Sequence, residues 1–198
     1  MNSKPIVWHT IQCFLNTFSD IKIILVVPQE HFAKSNLLKQ SFVNDIDRIE
    51  IVAGGQTRFH SVQNGLKLVE KNAVVFVHDG VRCIVSKGLI ERCYHQTLQF
   101  GSAIPAVAAI DSIRIIEDNH HRKADRNTVM MIQTPQTFLS NTLIKAFNQV
   151  YQESFTDEAT VVEQIGEKVY LIEGEYNNIK ITRPIDLLVA EKLILGDH

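Results

Sequence analysis

The alternation of short β-prone runs with longer helical segments constrains the fold of this chain more than any other feature. The β-prone runs are rich in Val and Ile and mostly apolar, as strands covered on both faces should be. Such alternation is typical of an α/β fold, in which a parallel sheet carries helices on both faces. We predict strands at residues 22–27, 48–52, 73–77 and 102–107.

Helical segments fit between these strands. Proline suits the first turn of a helix, and we predict helices that begin near Pro5, Pro28, Arg58, Ser86 and Asn141. A final segment of helical period covers residues 184–195. With 198 residues and 45% hydrophobic content, the chain can bury one self-sufficient core, so we expect a single domain over residues 1–198.

Residues 111–136 interrupt the alternation. Two β-prone runs, 112–116 and 129–132, flank a polar turn that contains His and Asn, and we predict a projecting β-hairpin arm. A hairpin that stands away from a sheet cannot bury both of its faces. We therefore expect a second subunit to cover the arm in a homodimer.

Composition excludes several classes of protein. Twenty basic side chains against 22 acidic ones give a net charge of −2, which does not favour a nucleic-acid partner. The three cysteines form neither a CxxC pair nor a zinc-spaced cluster, so we interpret them as reduced thiols in the cytoplasm. The start has no secretory pattern, and no apolar run approaches the roughly 18 residues of a membrane span.

Paired glycines follow the second predicted strand. Gly54 and Gly55 allow close approach of a ligand to the backbone, and the free amides of the next helix would favour an anion or a base carbonyl. Arg58 and Ser61 belong to that helix start. The alternative is a tight strand-to-helix turn without a ligand, which is common in α/β folds.

An acid, a glycine and a base follow the third predicted strand directly. Ligands of open α/β sheets bind at the carboxyl ends of strands. There Asp79 could meet a ribose hydroxyl or Mg²⁺, with Gly80 beside it, and Arg82 could meet a phosphate. The alternative is a structural ion pair between Asp79 and Arg82.

Three further candidates lie later in the chain. Arg126 offers a bidentate fork and Thr134 a hydroxyl, and both suit a terminal phosphate, although each could be a solvated side chain. Thr156 precedes Asp157 at a helix start, where helix capping is the simpler explanation. Lys180 alternates with two isoleucines, so it could reach a ligand over the sheet or lie on the surface.

In order, these motifs together resemble the 2-C-methyl-D-erythritol 4-phosphate cytidylyltransferase family. The resemblance covers about residues 4–195 and is carried by Gly54-Gly55 with Arg58 and Ser61-Val62, by His78-Asp79-Gly80-Val81-Arg82, by Asp125-Arg126, by Thr134-Pro135-Gln136, by Thr156-Asp157-Glu158-Ala159 and by residues 178–184. It implies a Rossmann-like nucleotidyltransferase sheet with helices on both faces and a projecting arm.

The resemblance also implies an activity and a site. A cytidylyl group would pass from CTP to the phosphate of methylerythritol phosphate, with Mg²⁺ present and pyrophosphate released. Positioning and charge neutralisation would dominate such a transfer. The implied roles are cytosine contact for Gly55 and Ser61, the ribose and metal side for Asp79, Gly80 and Arg82, catalysis and acceptor binding for Arg126 and Lys180, and acceptor binding for Thr134 and Thr156. Arg126 and Thr134 would come from the arm of a partner subunit.

The chain departs from the family at its front. The family's first strand and glycine-rich phosphate loop, which carries an Arg and a Lys, would lie before Asn2. Loss of such donors costs roughly a thousandfold in rate, so we expect the chain as given to be nearly inactive and its sequence to be incomplete.

Two other functions stay open at this point. Ribitol-5-phosphate cytidylyltransferase shares the reaction type, and a noncatalytic nucleotide-binding or dimerisation protein would have lost its phosphate loop. A nicotinamide-dependent enzyme ranks lower because no GxGxxG follows a strand.

Overall fold

The computed structural model of the chain describes Met1 and residues 4–196. That part of the chain contains seven α-helices, nine strands and three short 3₁₀ helices. In chain order the α-helices and strands are α1 (Ile6–Leu15), β1 (Ile23–Val27), α2 (Phe32–Gln40), β2 (Ile49–Ala53), α3 (Arg58–Leu66), β3 (Val74–Val77), α4 (Lys87–Phe100), β4 (Ser102–Ala108), β5 (Arg114–Glu117), β6 (His120–Lys123), β7 (Met130–Ile132), β8 (Gln136–Leu139), α5 (Ser140–Ala146), α6 (Glu158–Gln164), β9 (Leu171–Glu173) and α7 (Pro184–Leu195).

The four predicted strands are confirmed as β1 to β4, and the α/β class is confirmed with them. The expected parallel sheet is wrong in one part. Strand β8 lies between β3 and β4 and is antiparallel to both. Strand β9 pairs with β4 in parallel, and β7 pairs with β4 in antiparallel. The predicted arm ended at residue 136, and residues 137–139 had no predicted element. In the structure these residues form β8, a central strand of the sheet.

The main strands form two separate groups that no strand pairing joins within the described residues. Strands β1 and β2 form a parallel pair, and the other group has five strands in which β3 lies at one end. Helix α1 joins the groups, because Phe14 belongs to an apolar cluster that packs against both Ile23 of β1 and Phe76 of β3. Within the described residues, β1 has only β2 as a strand partner and β3 has only β8.

Strands β2 and β3 end at the same edge of this layer. Arg58, the first residue of α3 after β2, lies 3.9 Å from the carboxylate of Asp79, which follows β3. Side-chain caps fix two of the helices near this edge. The Thr57 hydroxyl accepts the His60 N–H at the start of α3, and the Asp157 carboxylate accepts the Thr160 N–H at the start of α6. These helix starts present their first side chains to the ends of the strands.

The arm is shorter than the sequence predicted. Strand β5 pairs with β6, with Glu117 opposite His120, so that residues 118–119 form the turn. Asp118 there has φ of 50°, a conformation that Asp tolerates better than most residues. The run at 129–132, expected to be the second strand of the arm, instead extends the main sheet as β7.

The largest apolar cluster lies between the five-stranded group and helices α3, α5 and α6. It contains the side chains Phe59, Leu66, Ile104, Phe138, Leu143, Phe147, Val161 and Val162. Among the helices of the described residues, none combines the length and the apolar character that crossing a membrane requires.

Candidate active site

Asp79 is the centre of a cluster of charged side chains at the carboxyl end of β3. Its Oδ2 lies 3.1 Å from Lys180 Nζ and 3.4 Å from Arg82 Nε, and its Oδ1 lies 3.9 Å from an Arg58 nitrogen. Burial opposes ionisation of this carboxyl, yet the hydrogen bond and charge of Lys180, with Arg58 and Arg82, lower the pKa of Asp79. The carboxylate is therefore ionised and surrounded by three cations.

Hydrogen bonds fix the loop that carries Asp79. The Nε2 of His78 lies 2.9 Å from the carbonyl oxygen of Arg82, which can only accept, so Nε2 carries the proton of the neutral ring. The Nδ1 then accepts from the Thr134 hydroxyl at 3.1 Å, and the same hydroxyl oxygen accepts the backbone N–H of Asp79 at 3.0 Å. Burial lowers the pKa of His78 to about 4, so the ring is neutral near pH 7.

A buried asparagine holds Lys180 and Arg82 beside this loop. Asn178 donates its side-chain N–H to the carbonyl of Thr134 at 2.9 Å, and the backbone carbonyl of Asn178 accepts from the Arg82 guanidinium at 2.7 Å. The N–H of Ile181 bonds to the carbonyl of Val81 at 3.0 Å. Lys180 lies between these two anchors, and its ammonium group reaches Asp79. The sequence alternation around Lys180 left its direction open, and these bonds place it in the cluster.

Glu158 anchors Arg58 from the buried side. The carboxylate of Glu158 makes a two-bond ion pair with the guanidinium, in which the second contact is 2.7 Å. Only 1% of Glu158 is exposed, whereas 39% of the Arg58 side chain is exposed. Burial raises the pKa of Glu158, and the charge and hydrogen bonds of Arg58 offset part of that rise. The sequence suggested helix capping at this segment and gave no sign that the residue after the cap is a buried ion-pair partner.

The paired glycines form one wall of an adjoining cleft of about 430 Å³. The Gly54 N–H bonds to the carbonyl of Val27 at 2.9 Å, and the Gly55 N–H bonds to the Ser61 hydroxyl at 3.0 Å. A Cβ on Gly55 would lie 2.4 Å from the Cβ of His60, so only glycine fits there. Gly55 and Ser61 thus line a cleft at the carboxyl ends of β1 and β2.

The other predicted site residues either lie apart from the Asp79 cluster or already use their polar groups in bonds within the protein. Arg126 lies at the base of the arm, donates to the carbonyl of Ile110 at 2.8 Å and lines a second cavity of about 410 Å³. Thr156 is exposed just before α6. The carbonyl of Gly80 accepts from Thr10 of α1 at 2.8 Å. The Thr134 hydroxyl is committed to the two bonds described above and is buried, so it presents no free donor to a ligand.

The donor set does not fit a metal ion held by the protein alone. In the part of the chain that the structure describes, no three His, Cys, Asp or Glu side chains are grouped to hold one. Asp79 is a single carboxylate, and its three neighbouring cations compete with a divalent ion for its oxygens.

Comparison with known proteins identifies relatives over nearly the whole chain. A family model described as 2-C-methyl-D-erythritol 4-phosphate cytidylyltransferase (IspD) matches residues 1–196. Proteins of that name from Bacteroides fragilis and Azobacteroides pseudotrichonymphae are 39% and 41% identical, each over 98% of this chain and over 88% and 87% of the relative.

A solved structure has the same fold. The crystal structure of 4-diphosphocytidyl-2C-methyl-D-erythritol synthase from Anaerococcus prevotii superposes with a TM-score of 0.86 at 26% identity, covering 98% of this chain and 88% of that chain. The order of motifs, the cluster at the strand ends and these matches lead to one assignment. The chain belongs to the 2-C-methyl-D-erythritol 4-phosphate cytidylyltransferase family.

Proposed function

We propose that this protein transfers the cytidylyl group of CTP to the phosphate of 2-C-methyl-D-erythritol 4-phosphate and releases pyrophosphate. The observation that carries the proposal is the 39–41% identity, over 98% of the chain, to relatives named for this activity. The cluster of Arg58, Arg82 and Lys180 around Asp79 supports it, because both substrates are phosphate anions.

In the proposed reaction an oxygen of the acceptor phosphate forms a bond to the α-phosphorus of CTP. The bond from that phosphorus to its bridging oxygen breaks, and pyrophosphate leaves with the electron pair. Little covalent work falls to the protein, so its side chains act by holding the phosphates in line and by neutralising charge. We assign Lys180 and Arg82 to that neutralisation, Asp79 and Gly80 to the ribose side, and Gly55 with Ser61 to the cytosine.

Magnesium enters this proposal as part of the substrate. Mg²⁺ usually keeps several waters and binds through substrate phosphates with one or two carboxylates, so we propose that it arrives bound to CTP. Asp79 is the carboxylate of the cluster that could approach it. No step here depends on a metal that the protein itself holds.

A homodimer remains part of the proposal. Apolar side chains on the arm and on β7 are exposed, with 70% of Ile116, 42% of Met130 and 46% of Met131 accessible, which supports a second subunit as their cover. The arm would then carry Arg126 to the acceptor phosphate of the partner subunit, with Thr156 as a further contact at the start of α6. The hydrogen bonds of Thr134 instead support a role in holding the Asp79 loop of its own subunit.

The same proposal locates the enzyme in the cytoplasm. All three cysteines are free thiols, which is typical of a reducing compartment. With a net charge of −2 and small anionic substrates, no nucleic-acid partner is proposed.

The test is CTP-dependent pyrophosphate release with Mg²⁺, comparing methylerythritol phosphate with ribitol 5-phosphate as acceptors. The assay uses the 198-residue chain and the chain extended by any residues encoded upstream. We expect release with methylerythritol phosphate from the extended chain, and we expect Lys180→Met in that chain to reduce it at least about a hundredfold. Lys168→Met is the matched control, because Lys168 lies over the ring of Tyr170, away from the cluster. Release with ribitol 5-phosphate alone, or silence of every chain with both acceptors, would contradict the proposal.

A further inference from the structure

Glu158 is a buried acid whose carboxylate is paired with the side chain of Arg58. Both of its oxygens accept from the guanidinium of Arg58, and only 1% of the residue is exposed. A carboxylate taken out of water is costly unless it is paired and hydrogen-bonded. The two-bond geometry also fixes the plane of the guanidinium, which one hydrogen bond would leave free to rotate.

The helix start that carries Glu158 is itself fixed to the sheet. Gln136, the buried first residue of β8, donates to the Asp157 carboxylate at 2.9 Å and accepts the N–H of Ala159 at 2.8 Å. The residues on both sides of Glu158 are therefore tied to one side chain of the central strand. Glu158 cannot follow Arg58 if the guanidinium moves, so the acid acts as the fixed partner of the pair.

Arg58 connects this anchor to the solvent side of the site. The same guanidinium nitrogen that donates to Glu158 at 2.7 Å lies 3.9 Å from Asp79 Oδ1. Three negative charges, those of Glu158, Asp79 and Asp157, act on Arg58. Arg82 and Lys180 add two further positive charges beside Asp79. With 39% of its side chain exposed, Arg58 can meet an anion from solvent.

We infer that Glu158 is a positioning residue, which holds the Arg58 guanidinium at the Asp79 cluster so that Arg58 binds the phosphate part of the nucleotide. The inference rests on the proposed function, since a nucleotide is the anion in question. Glu158 itself touches no substrate in this role. A purely structural Glu158 would stabilise the fold without any preference for charged ligands.

The first experiment needs no ligand. Side-chain ¹⁵N–¹H signals of arginine report whether a guanidinium is held in place, and they are compared in wild type, Glu158→Gln and Glu167→Gln. Glu167 is the matched control, because it makes an exposed ion pair with Lys145 at 3.1 Å. We expect a distinct, slowly exchanging Arg58 signal in wild type and Glu167→Gln, and its loss in Glu158→Gln. An unchanged Arg58 signal in Glu158→Gln would overturn the inference.

The second experiment uses the upstream-extended chain and measures the dissociation constants of CDP and of cytidine, which has no phosphate. Loss of one well-placed charged hydrogen-bonding partner corresponds to about ten- to a hundredfold in affinity. We expect Glu158→Gln to weaken the binding of CDP by that factor and to change the binding of cytidine little. The affinity of Glu158→Asp for CDP should fall between those of wild type and Glu158→Gln. In an Arg58→Met background, Glu158→Gln should cause no further loss of affinity for CDP, because Glu158 acts through Arg58.

The results separate this inference from the proposed function. Equal weakening of CDP and cytidine, or a further loss in the double variant, would mean that Glu158 supports the site only through the fold. If the extended wild-type chain bound neither ligand, the proposed function would fail, and the Arg58 signal would still decide whether Glu158 holds the guanidinium.

Discussion

The dependence of folding stability on acid pH tests whether His78 is buried as the structure shows. The ring contacts Phe14, with ring centroids 5.1 Å apart, and bonds to Thr134 and to the backbone of Arg82. Its pKa falls from an ordinary 6.5 to about 4, mainly through burial. At pH values between these two pKa values, His78 therefore binds a proton in the unfolded chain but not in the folded chain. Linkage then gives a loss of stability as the pH falls through that window, amounting to about 2 kcal/mol at pH 5 and about 3 kcal/mol at pH 4.

The assay is urea unfolding of wild type and His78→Gln at several pH values between about 7.5 and 4. Glutamine does not titrate, so the wild-type curve should fall below that of the variant by the amounts given, after both are set equal at neutral pH. The raised pKa of Glu158 acts with the opposite sign just above its ordinary 4.5, but it acts in both proteins and cancels in the difference. Parallel stability curves would refute the reasoning, because His78 would then titrate as it does in the unfolded chain.

Two predictions concern residues that hold the site. Thr134→Val removes the hydroxyl that serves both the Asp79 N–H and His78 Nδ1, and we expect a loss of about 2–4 kcal/mol in urea unfolding, whereas Thr134→Ser keeps the hydroxyl and most of the stability. Equal losses for the two variants would rule out the hydrogen bonds as the cause. Gly55→Ala brings a Cβ to 2.4 Å from His60 and should cost about 1–3 kcal/mol in thermal unfolding. Gly88→Ala, whose Cβ meets nothing closer than 3.6 Å at the start of α4, should instead be neutral or stabilising by up to about 1 kcal/mol, and a loss as large as that of Gly55→Ala would contradict this account.

The strands and the strand-end loops could be predicted because they depend on local sequence. Apolar runs covered on both faces identify β1 to β4, and the polar residues directly after β3 identify the Asp79 loop. The strand β8 could not be found in this way. Gln136 and Thr137 are polar but buried, because Gln136 bonds to Asp157 and Ala159, which lie more than twenty residues along the chain. Such burial depends on tertiary partners that periodicity does not show.

The sequence named several residues that the structure brings together, but not the contacts that join them. Asp79, Arg82 and Lys180 were named from strand-end position, charge and alternation, and the structure brings their charged groups together. Glu158 received no role, since an acid after a helix cap is ordinarily solvated. The sequence assigned Arg126 to binding of the acceptor phosphate, but Arg126 lies at the base of the arm, apart from the Asp79 cluster of its own subunit.

The division of the sheet between β1 and β3 affects how this chain behaves when it is concentrated. Each of these strands leaves one row of backbone donors and acceptors without a strand partner among the described residues, and their Val, Ile, Leu and Phe side chains are only half-buried. Open apolar edges of this kind are templates for pairing with another chain. Concentrated samples of the 198-residue chain should therefore add strands from neighbouring molecules and lose monomer to β-rich aggregates, and a lysine or proline placed in β1 should slow that loss.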